Sequence, residues 1–122
     1  MDKKIMVVDD DPDILVSMRT IFERQGYEVF TVDNGSDCIE ELEQGFKGIV
    51  LMDLIMPFMD GLETLREIIK KRLNKDIVFS IITANGIPDS DKLKGLEQYI
   101  YNYIKKPFDL EKLITDINSI NV

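Results

Sequence analysis

The feature that most constrains this chain is the alternation of short apolar runs with segments whose apolar residues recur every three or four positions. The runs occupy residues 4–8, 28–32, 48–53, 76–83 and 99–104. Runs that are apolar throughout, such as GIVLMD, are typical of strands buried on both faces. Helical segments between them supply the crossovers that parallel strands require. The sequence therefore predicts an α/β fold with a five-stranded parallel sheet and helices on both faces.

The helical segments are bounded by turn and cap residues. The first begins at Pro12, after an aspartate suited to cap it, and stops at Gly26. The fourth is predicted to run from near Pro88 to about Gln98. The apolar stripes of the others are Ile39 and Leu42; Leu62, Leu65, Ile68 and Ile69; and Leu110, Leu113, Ile114, Ile117 and Ile120. The three tyrosines Tyr99, Tyr101 and Tyr103 are expected to share one face of the fifth strand.

Composition excludes several classes of function. At 122 residues the chain has the size of one domain, and its formal net charge of -8 disfavours direct binding to nucleic acid. The absence of histidine removes imidazole as a base, nucleophile or metal ligand. No apolar run is long enough to span a bilayer or to resemble a signal peptide, and Cys38 has no partner for an internal disulfide. We expect a soluble, cytoplasmic protein.

Polar residues stand where the predicted strands end. Asp9 and Asp10 follow the first strand, Asp53 ends the third, Thr83 ends the fourth, and Lys106 lies just beyond the fifth. Ligands of open parallel sheets bind at this edge. Two carboxylates about 4 Å apart repel by roughly 4 kcal/mol at an effective dielectric of about 20, so such a cluster needs a cation. Oxygen ligands without histidine or thiolate favour Mg²⁺ over Zn²⁺. With that charge offset, one carboxylate could accept a phosphoryl group.

Four segments now support a resemblance that covers essentially the whole chain. VVDDDP at 7–12, LMDLIMPFMDG at 51–61, IITA at 81–84 and KKPF at 105–108 resemble, in order and spacing, the motifs of receiver domains of two-component response regulators. The resemblance implies a single receiver domain over residues 1–122. It also implies a flavodoxin-like, doubly wound sheet with strand order 2-1-3-4-5.

The same resemblance implies the roles of the site residues. Asp53 is similar to the phosphoacceptor, and Asp9 and Asp10 are similar to the metal-binding pair. Ile55 would offer its backbone carbonyl to the metal, expected to be Mg²⁺. Thr83 resembles the hydroxyl that moves onto the phosphoryl group.

Two further positions follow from the resemblance near the fifth strand. Lys106 resembles the lysine that pairs with the phosphoryl group, and its bond to Pro107 is expected to be cis. Between Thr83 and Lys106 the chain is one residue longer than the usual pattern, so counting back from Lys106 assigns the switch aromatic to Tyr103, whereas counting forward reaches Asn102. We favour Tyr103, because a ring can fill the space that a moving threonine leaves.

The function implied is that of a phosphorylation-activated signalling switch. A histidine kinase or phosphotransfer protein would donate to Asp53, and the surface of the fourth helix, fifth strand and fifth helix would then bind a downstream protein. No nucleic acid, membrane insertion or further cofactor is expected. Ile55 and Asn85 are poorly suited to align water, which predicts a long-lived aspartyl phosphate.

Three alternatives remain open at this point. One is a metal-dependent phosphohydrolase with an aspartyl-phosphate intermediate, which usually needs a second aspartate where this chain has Ile55. The others are a flavodoxin-like cofactor binder and a receiver that signals without phosphorylation.

Overall fold

A computed structural model describes residues 3–120, and in them strands and helices alternate. The strands are β1 (Lys3–Val8), β2 (Tyr27–Val32), β3 (Gly48–Asp53), β4 (Ile77–Thr83) and β5 (Ile100–Lys105). The helices are α1 (Pro12–Arg24), α2 (Gly35–Glu43), α3 (Gly61–Lys70), α4 (Ser90–Leu93) and α5 (Leu110–Asn118), with a 3₁₀ turn at Glu97–Tyr99. All strand pairs are parallel and the order is β2-β1-β3-β4-β5. The predicted architecture and strand order are confirmed.

The sheet separates two hydrophobic cores. Met18 and Phe22 of α1 and Leu113 and Ile117 of α5 pack on one face. Helices α2, α3 and α4 cover the other face. β3 lies in the centre and is buried along its whole length, which explains its uninterrupted apolar sequence. Within residues 3–120, no helix has both the length and the apolar character needed to cross a bilayer.

Side-chain caps start four helices at the carboxyl edge of the sheet. The capping residues are Asp11 for α1, Asn34 for α2, Asp60 for α3 and Asp109 for α5. Asp11 Oδ1 accepts from the backbone N–H of Asp13 at 2.9 Å, which confirms it as a cap. Asp11, Asp60 and Asp109 are therefore hydrogen-bonded to the N-termini of helices. Fewer carboxylates at this edge remain as candidate ligands or nucleophiles.

The fourth helix is much shorter than predicted. The expected helix over about 88–98 is a single helical turn, Ser90–Leu93, followed by a turn over 94–96 and the 3₁₀ turn. Gly95 has φ +81, a conformation that ends a helix, while Leu93 and Leu96 remain buried. The guanidinium of Arg66 on α3 donates to the carbonyl oxygens of Lys92 and Lys94 at 3.1 and 3.4 Å. The predicted end of the helix near Gln98 was therefore wrong, although Leu96 beyond the helix still packs in the core.

A bulge in β5 corrects the expected tyrosine stripe. Phe79 of β4 pairs with Ile100, but the next residue, Ser80, pairs with Asn102, so Tyr101 is an extra residue. Tyr99 lies in the 3₁₀ turn, so the prediction that the three tyrosines share a strand face was wrong. From Asn102 onward the register is regular. The extra residue relative to the usual pattern therefore lies at least in part before Asn102, and the assignment of the switch aromatic to Tyr103 stays a prediction.

Candidate functional site

Three aspartates meet at the carboxyl edge because their strands are neighbours. β1 pairs with β3 so that Val8 lies beside Met52, which places the following Asp9 next to Asp53. One carboxylate oxygen from each of Asp9, Asp10 and Asp53 lies within 4.8 Å of the others. Asp9 is buried and Asp53 is 6% exposed, whereas Asp10 faces solvent. The structure thus brings together all three predicted carboxylates.

Asp9 occupies an unfavourable place for a charge. Burial raises the pKa of Asp9 from its ordinary value of 3.8 to about 6, and the Asp53 carboxylate adds to this effect. The backbone N–H of Asp11 donates to Asp9 Oδ1 at 2.9 Å and opposes the rise. Within the described residues Asp9 Oδ2 is buried without a hydrogen-bond partner. A cation at this place would relieve both the repulsion and the unsatisfied oxygen.

Lys106 joins the cluster from the end of β5. Its Nζ donates to Asp53 Oδ2 at 3.0 Å and lies 3.5 Å from Asp9 Oδ2. Partial burial acts to lower the pKa of Lys106, but the hydrogen bond and charge of Asp53, with those of Asp9, outweigh it and raise the pKa. The backbone N–H of Lys106 donates to the carbonyl of Thr83 at 2.9 Å, and the bond to Pro107 is cis as expected. The backbone hydrogen bond to Thr83 holds Lys106 at the end of β4, and its ammonium reaches Asp53.

Thr83 is buried beside the cluster, and its hydroxyl is engaged in the loop after β4. Thr83 Oγ1 donates to the carbonyl of Gly86 at 2.9 Å and accepts from the backbone N–H of Asn85 at 3.2 Å. Tyr103 is half-buried and packs against the core beneath α2, α3 and α4. Burial, with the nearby charge of Glu97, raises the pKa of Tyr103. The two predicted switch residues, Thr83 and Tyr103, thus both lie next to the layer formed by α2, α3 and α4.

The donors present fit a hard divalent cation. Carboxylates and a backbone carbonyl are the oxygen ligands that Mg²⁺ takes in proteins. Ile55 is turned so that its backbone N–H donates to Asp53 Oδ1 at 3.2 Å. Ile55 itself is 63% exposed.

Sequence reasoning missed two groups of residues near the site. Phe58 and Ile87 project from the loops after β3 and β4 and leave large apolar surfaces exposed. The only sequence signal was a bulky aromatic residue inside the turn PFMDG. Arg66, which bonds to the carbonyls at the end of α4, carried no distinguishing signal.

Comparison with known families identifies the family to which this fold belongs. Residues 5–118 match the family model of the response regulator receiver domain. The chain belongs to this family. As a receiver domain it is a phosphorylation-activated signalling switch of two-component systems, and its acidic cluster is compatible with Mg²⁺.

Curated relatives of this receiver domain differ in length. It is 35% identical over 117 residues to the transcriptional regulatory protein CpxR homolog of Haemophilus influenzae, covering 96% of this chain but 49% of that protein. It is 31% identical to protein PilH of Pseudomonas aeruginosa, covering 96% of each. The chain thus spans about half the length of the first relative and nearly all of the second.

Solved structures give the same assignment. A CheY-like receiver domain from Methanospirillum hungatei is 40% identical, with a TM-score of 0.88, over 94% of this chain and 90% of that one. The response regulator TrrA of Thermotoga maritima, solved in complex with Mg²⁺-BeF, is 29% identical with a TM-score of 0.79, over 95% and 96% of the two chains. These comparisons lend no support to the phosphohydrolase alternative.

Proposed function

We propose that this receiver domain takes a phosphoryl group onto Asp53 from the phosphohistidine of a histidine kinase or phosphotransfer protein. The observation that carries the proposal is the contact of Asp53 with Lys106 at 3.0 Å inside a cluster of three carboxylates at the open edge of the sheet. The assignment of residues 1–122 as a single receiver domain belongs to the same proposal.

The transfer requires one bond to form and one to break. A carboxylate oxygen of Asp53 attacks phosphorus, while the bond from phosphorus to the donor imidazole nitrogen breaks and leaves its electron pair on that nitrogen. The Lys106 ammonium already lies at Asp53 Oδ2 and can shift onto an oxygen of the arriving group. Asp53 supplies the nucleophile, and Lys106 stabilises the charge that it acquires.

Asp9, Asp10 and Asp53, with the backbone carbonyl of Ile55, are the proposed Mg²⁺ ligands. When bound, the ion offsets the charge of the carboxylates and of the phosphoryl oxygens. The three carboxylates and the unsatisfied oxygen of Asp9 support this assignment. That TrrA was solved with Mg²⁺-BeF supports it by analogy.

The proposed output is a shift of the surface formed by α4, β5 and α5 towards a state that binds a downstream protein. Once Asp53 is phosphorylated, Thr83 moves its hydroxyl from the Gly86 carbonyl to a phosphoryl oxygen, and Tyr103 turns into the space that Thr83 leaves. The burial of Thr83 and the packing of Tyr103 against the neighbouring core support this coupling. The partner is proposed to be a protein, with no contact to nucleic acid by this domain.

Intact-mass measurement tests the phosphorylation. The protein is incubated with acetyl phosphate, with Mg²⁺ or with EDTA, and a mass gain of one phosphoryl group is expected only with Mg²⁺. Asp53→Asn removes the gain, whereas Asp13→Asn, which changes an exposed carboxylate at the same edge, keeps it. A gain that persists in Asp53→Asn would overturn the assignment of the phosphoacceptor.

A further inference from the structure

A groove of about 600 Å³ lies beside the phosphorylation site, between the loops that follow β3 and β4. In the described residues, six large apolar side chains are exposed, and three of them, Ile55, Phe58 and Ile87, line this groove. Their exposed fractions are 63%, 105% and 68%. Large apolar side chains clustered at one concavity are typical of a binding surface, whereas single ones are ordinary.

Phe58 is exposed at a conformational cost. Its φ is +68, in the left-handed region that glycine adopts freely and that a bulky residue adopts at a cost of order 1–3 kcal/mol. Its ring meets solvent rather than the core. Neither the backbone nor the ring therefore gains stability from this residue. Aromatic side chains often contribute most of the binding energy at protein interfaces. The exposed ring of Phe58 is suited to such a contact.

The charged residues that line the groove favour a positively charged ligand. Three acidic residues, Asp60, Glu63 and Asp89, line the groove together with one basic residue, Lys92. Asp60 and Glu63 are fixed in place by their reciprocal capping hydrogen bonds at the start of α3. A ligand with apolar groups for the three exposed side chains and with cationic groups for this margin would complement both features.

The position of the groove decides the form of a peptide ligand. The groove lies at the ends of β3 and β4, and both strands are paired on each side within the sheet. No free strand edge is available there for an added strand. A helix satisfies its own backbone groups and needs only side-chain contacts, so it suits this groove.

The groove also borders the switch. Thr83, Asn85 and Gly86 line it, and the Thr83 hydroxyl donates to the Gly86 carbonyl in one wall. If the Thr83 hydroxyl moved away, the Gly86 carbonyl would lose this hydrogen bond and the shape of the groove would change. Any ligand of the groove would then be coupled to the state of Asp53, and the coupling would be reciprocal.

We propose that this groove binds a basic amphipathic helix of the downstream partner, with Phe58 as its central contact, and that phosphorylation of Asp53 changes the affinity. The second part rests on the function proposed above. The groove reaches α4 at Lys92 but lies apart from the surface of β5 and α5. It therefore adds a second contact surface to the one described for the output.

Two synthetic peptides test the binding. Both carry leucine at the apolar positions of about four helical turns, with lysine in one and glutamate in the other at the polar positions. We expect amide chemical-shift titration to place the lysine peptide at the groove, and the glutamate peptide to bind at least about tenfold more weakly, a difference of about 1.4 kcal/mol.

Variants separate the groove from the general negative charge of the protein. Phe58→Gly removes the ring and also relieves the backbone, so the fold is kept, and binding of the lysine peptide should weaken about tenfold. Val16→Ala, which trims an exposed apolar side chain on α1, should leave the affinity unchanged. Equal affinity of Phe58→Gly and the native protein would overturn the proposal. Concentration-dependent shifts of the same residues without peptide would assign the groove to a second copy and would also overturn it.

The coupling is measured in the presence of Mg²⁺ and acetyl phosphate, with intact mass recorded on the same sample. The affinity should change about threefold or more in the phosphorylated protein and not in Asp53→Asn. A phosphorylated sample with unchanged affinity overturns the coupling. A sample that gains no mass counts against the proposed function, while the comparison of Phe58→Gly with Val16→Ala still decides whether the groove binds.

Discussion

Asp9 is a charged residue in a position that weakens the folded state. Its carboxylate is buried, has a pKa of about 6 and has one oxygen without a hydrogen bond inside the described part of the chain. Because the folded pKa lies above the ordinary value, the folded state binds the proton more tightly than the unfolded state does. The stabilisation that protonation gives is full below about pH 4 and is lost as the pH rises through about 6.

Asp9→Asn is therefore expected to stabilise the metal-free protein at pH 7.5. Since the pKa of Asp9 is displaced by about two units, the gain in free energy of unfolding should be about 1–3 kcal/mol. It should disappear below about pH 4. Urea unfolding with EDTA at the two pH values measures it. Asp13→Asn, an exposed neighbour, should show no comparable gain, and a variant less stable than the native protein at pH 7.5 would contradict this account.

Ile55 sets a second prediction at the scale of one residue. Ile55 is two residues after Asp53, its backbone N–H donates to Asp53 Oδ1, and the residue is 63% exposed. An apolar side chain at this position cannot hydrogen-bond to an attacking water. Ile55→Asn should speed hydrolysis of the aspartyl phosphate about fivefold, or about 1 kcal/mol in the barrier. Decay of the phosphorylated mass after removal of acetyl phosphate measures the rate. Val16→Asn controls for the loss of an exposed apolar group, and a native half-life of seconds that Ile55→Asn does not shorten would refute the prediction.

At the scale of elements, the junction of β3 and α3 holds Asp53 in position. The backbone N–H of Gly61 donates to the carbonyl of Leu54 at 2.8 Å. A Cβ added to Gly61 would lie 2.6 Å from the backbone oxygen of Asp53. The start of the helix therefore packs directly on the end of the strand, and only glycine allows that approach.

Gly61→Ala should disturb both stability and chemistry. The contact with backbone cannot be relieved by a side-chain rotation, so we expect a loss of about 2–3 kcal/mol in the free energy of unfolding and slower phosphorylation by acetyl phosphate. Gly45→Ala is the matched control. Gly45 has φ +103 and open space around it, so that variant should cost about 1–2 kcal/mol and leave the phosphorylation rate unchanged. Equal rates in Gly61→Ala and the native protein would exclude this role for the junction.

Elements were predicted with the correct bounds where burial alone determines the sequence, as in β3. They were predicted incorrectly where burial and helix formation give similar sequences, as in α4. β3 was predicted with its observed bounds because a central strand is apolar throughout. α4 was predicted to run to about Gln98, but the backbone leaves the helix before Gly95 while Leu93 and Leu96 remain buried. Such burial arises from tertiary packing, which local periodicity cannot distinguish from a helix.

The residues at the strand ends of the site could be predicted from the fold, but the details of the surrounding loops could not. The ends of parallel strands converge, so the placement of Asp9, Asp53 and Lys106 followed from the fold. The bulge at Tyr101 could not be read from spacing, because an extra residue fits a loop as well as a strand. The groove at Phe58 also escaped, since exposure of a side chain depends on the loop conformation rather than on residue type.

For the whole molecule, negative charge is the main electrostatic feature. The formal net charge is -8, and three carboxylates converge at one edge of the sheet. Self-repulsion of this kind weakens the compact state, and a specific cation should relieve it more than general ionic strength does.

Mg²⁺ should therefore raise the melting temperature more than NaCl does at equal ionic strength. At a concentration ten times the dissociation constant, the added stability is about 1.4 kcal/mol, which corresponds to a few degrees for a domain of this size. Asp10→Asn should lose most of this increment, whereas Asp37→Asn, on α2, should keep it. The same increment in Asp10→Asn and the native protein would argue against a specific site.

The bulge at Tyr101 also affects how readily copies of the protein can pair through the edge of the sheet. β5 is an outer strand of the sheet, and an outer strand that is straight offers a template for unwanted growth into larger assemblies. The additional residue breaks the regular pairing of β5 with β4, and bulges of this kind bend a strand and increase its twist. An edge strand interrupted by a bulge is a poorer template for pairing with another chain than a regular strand is.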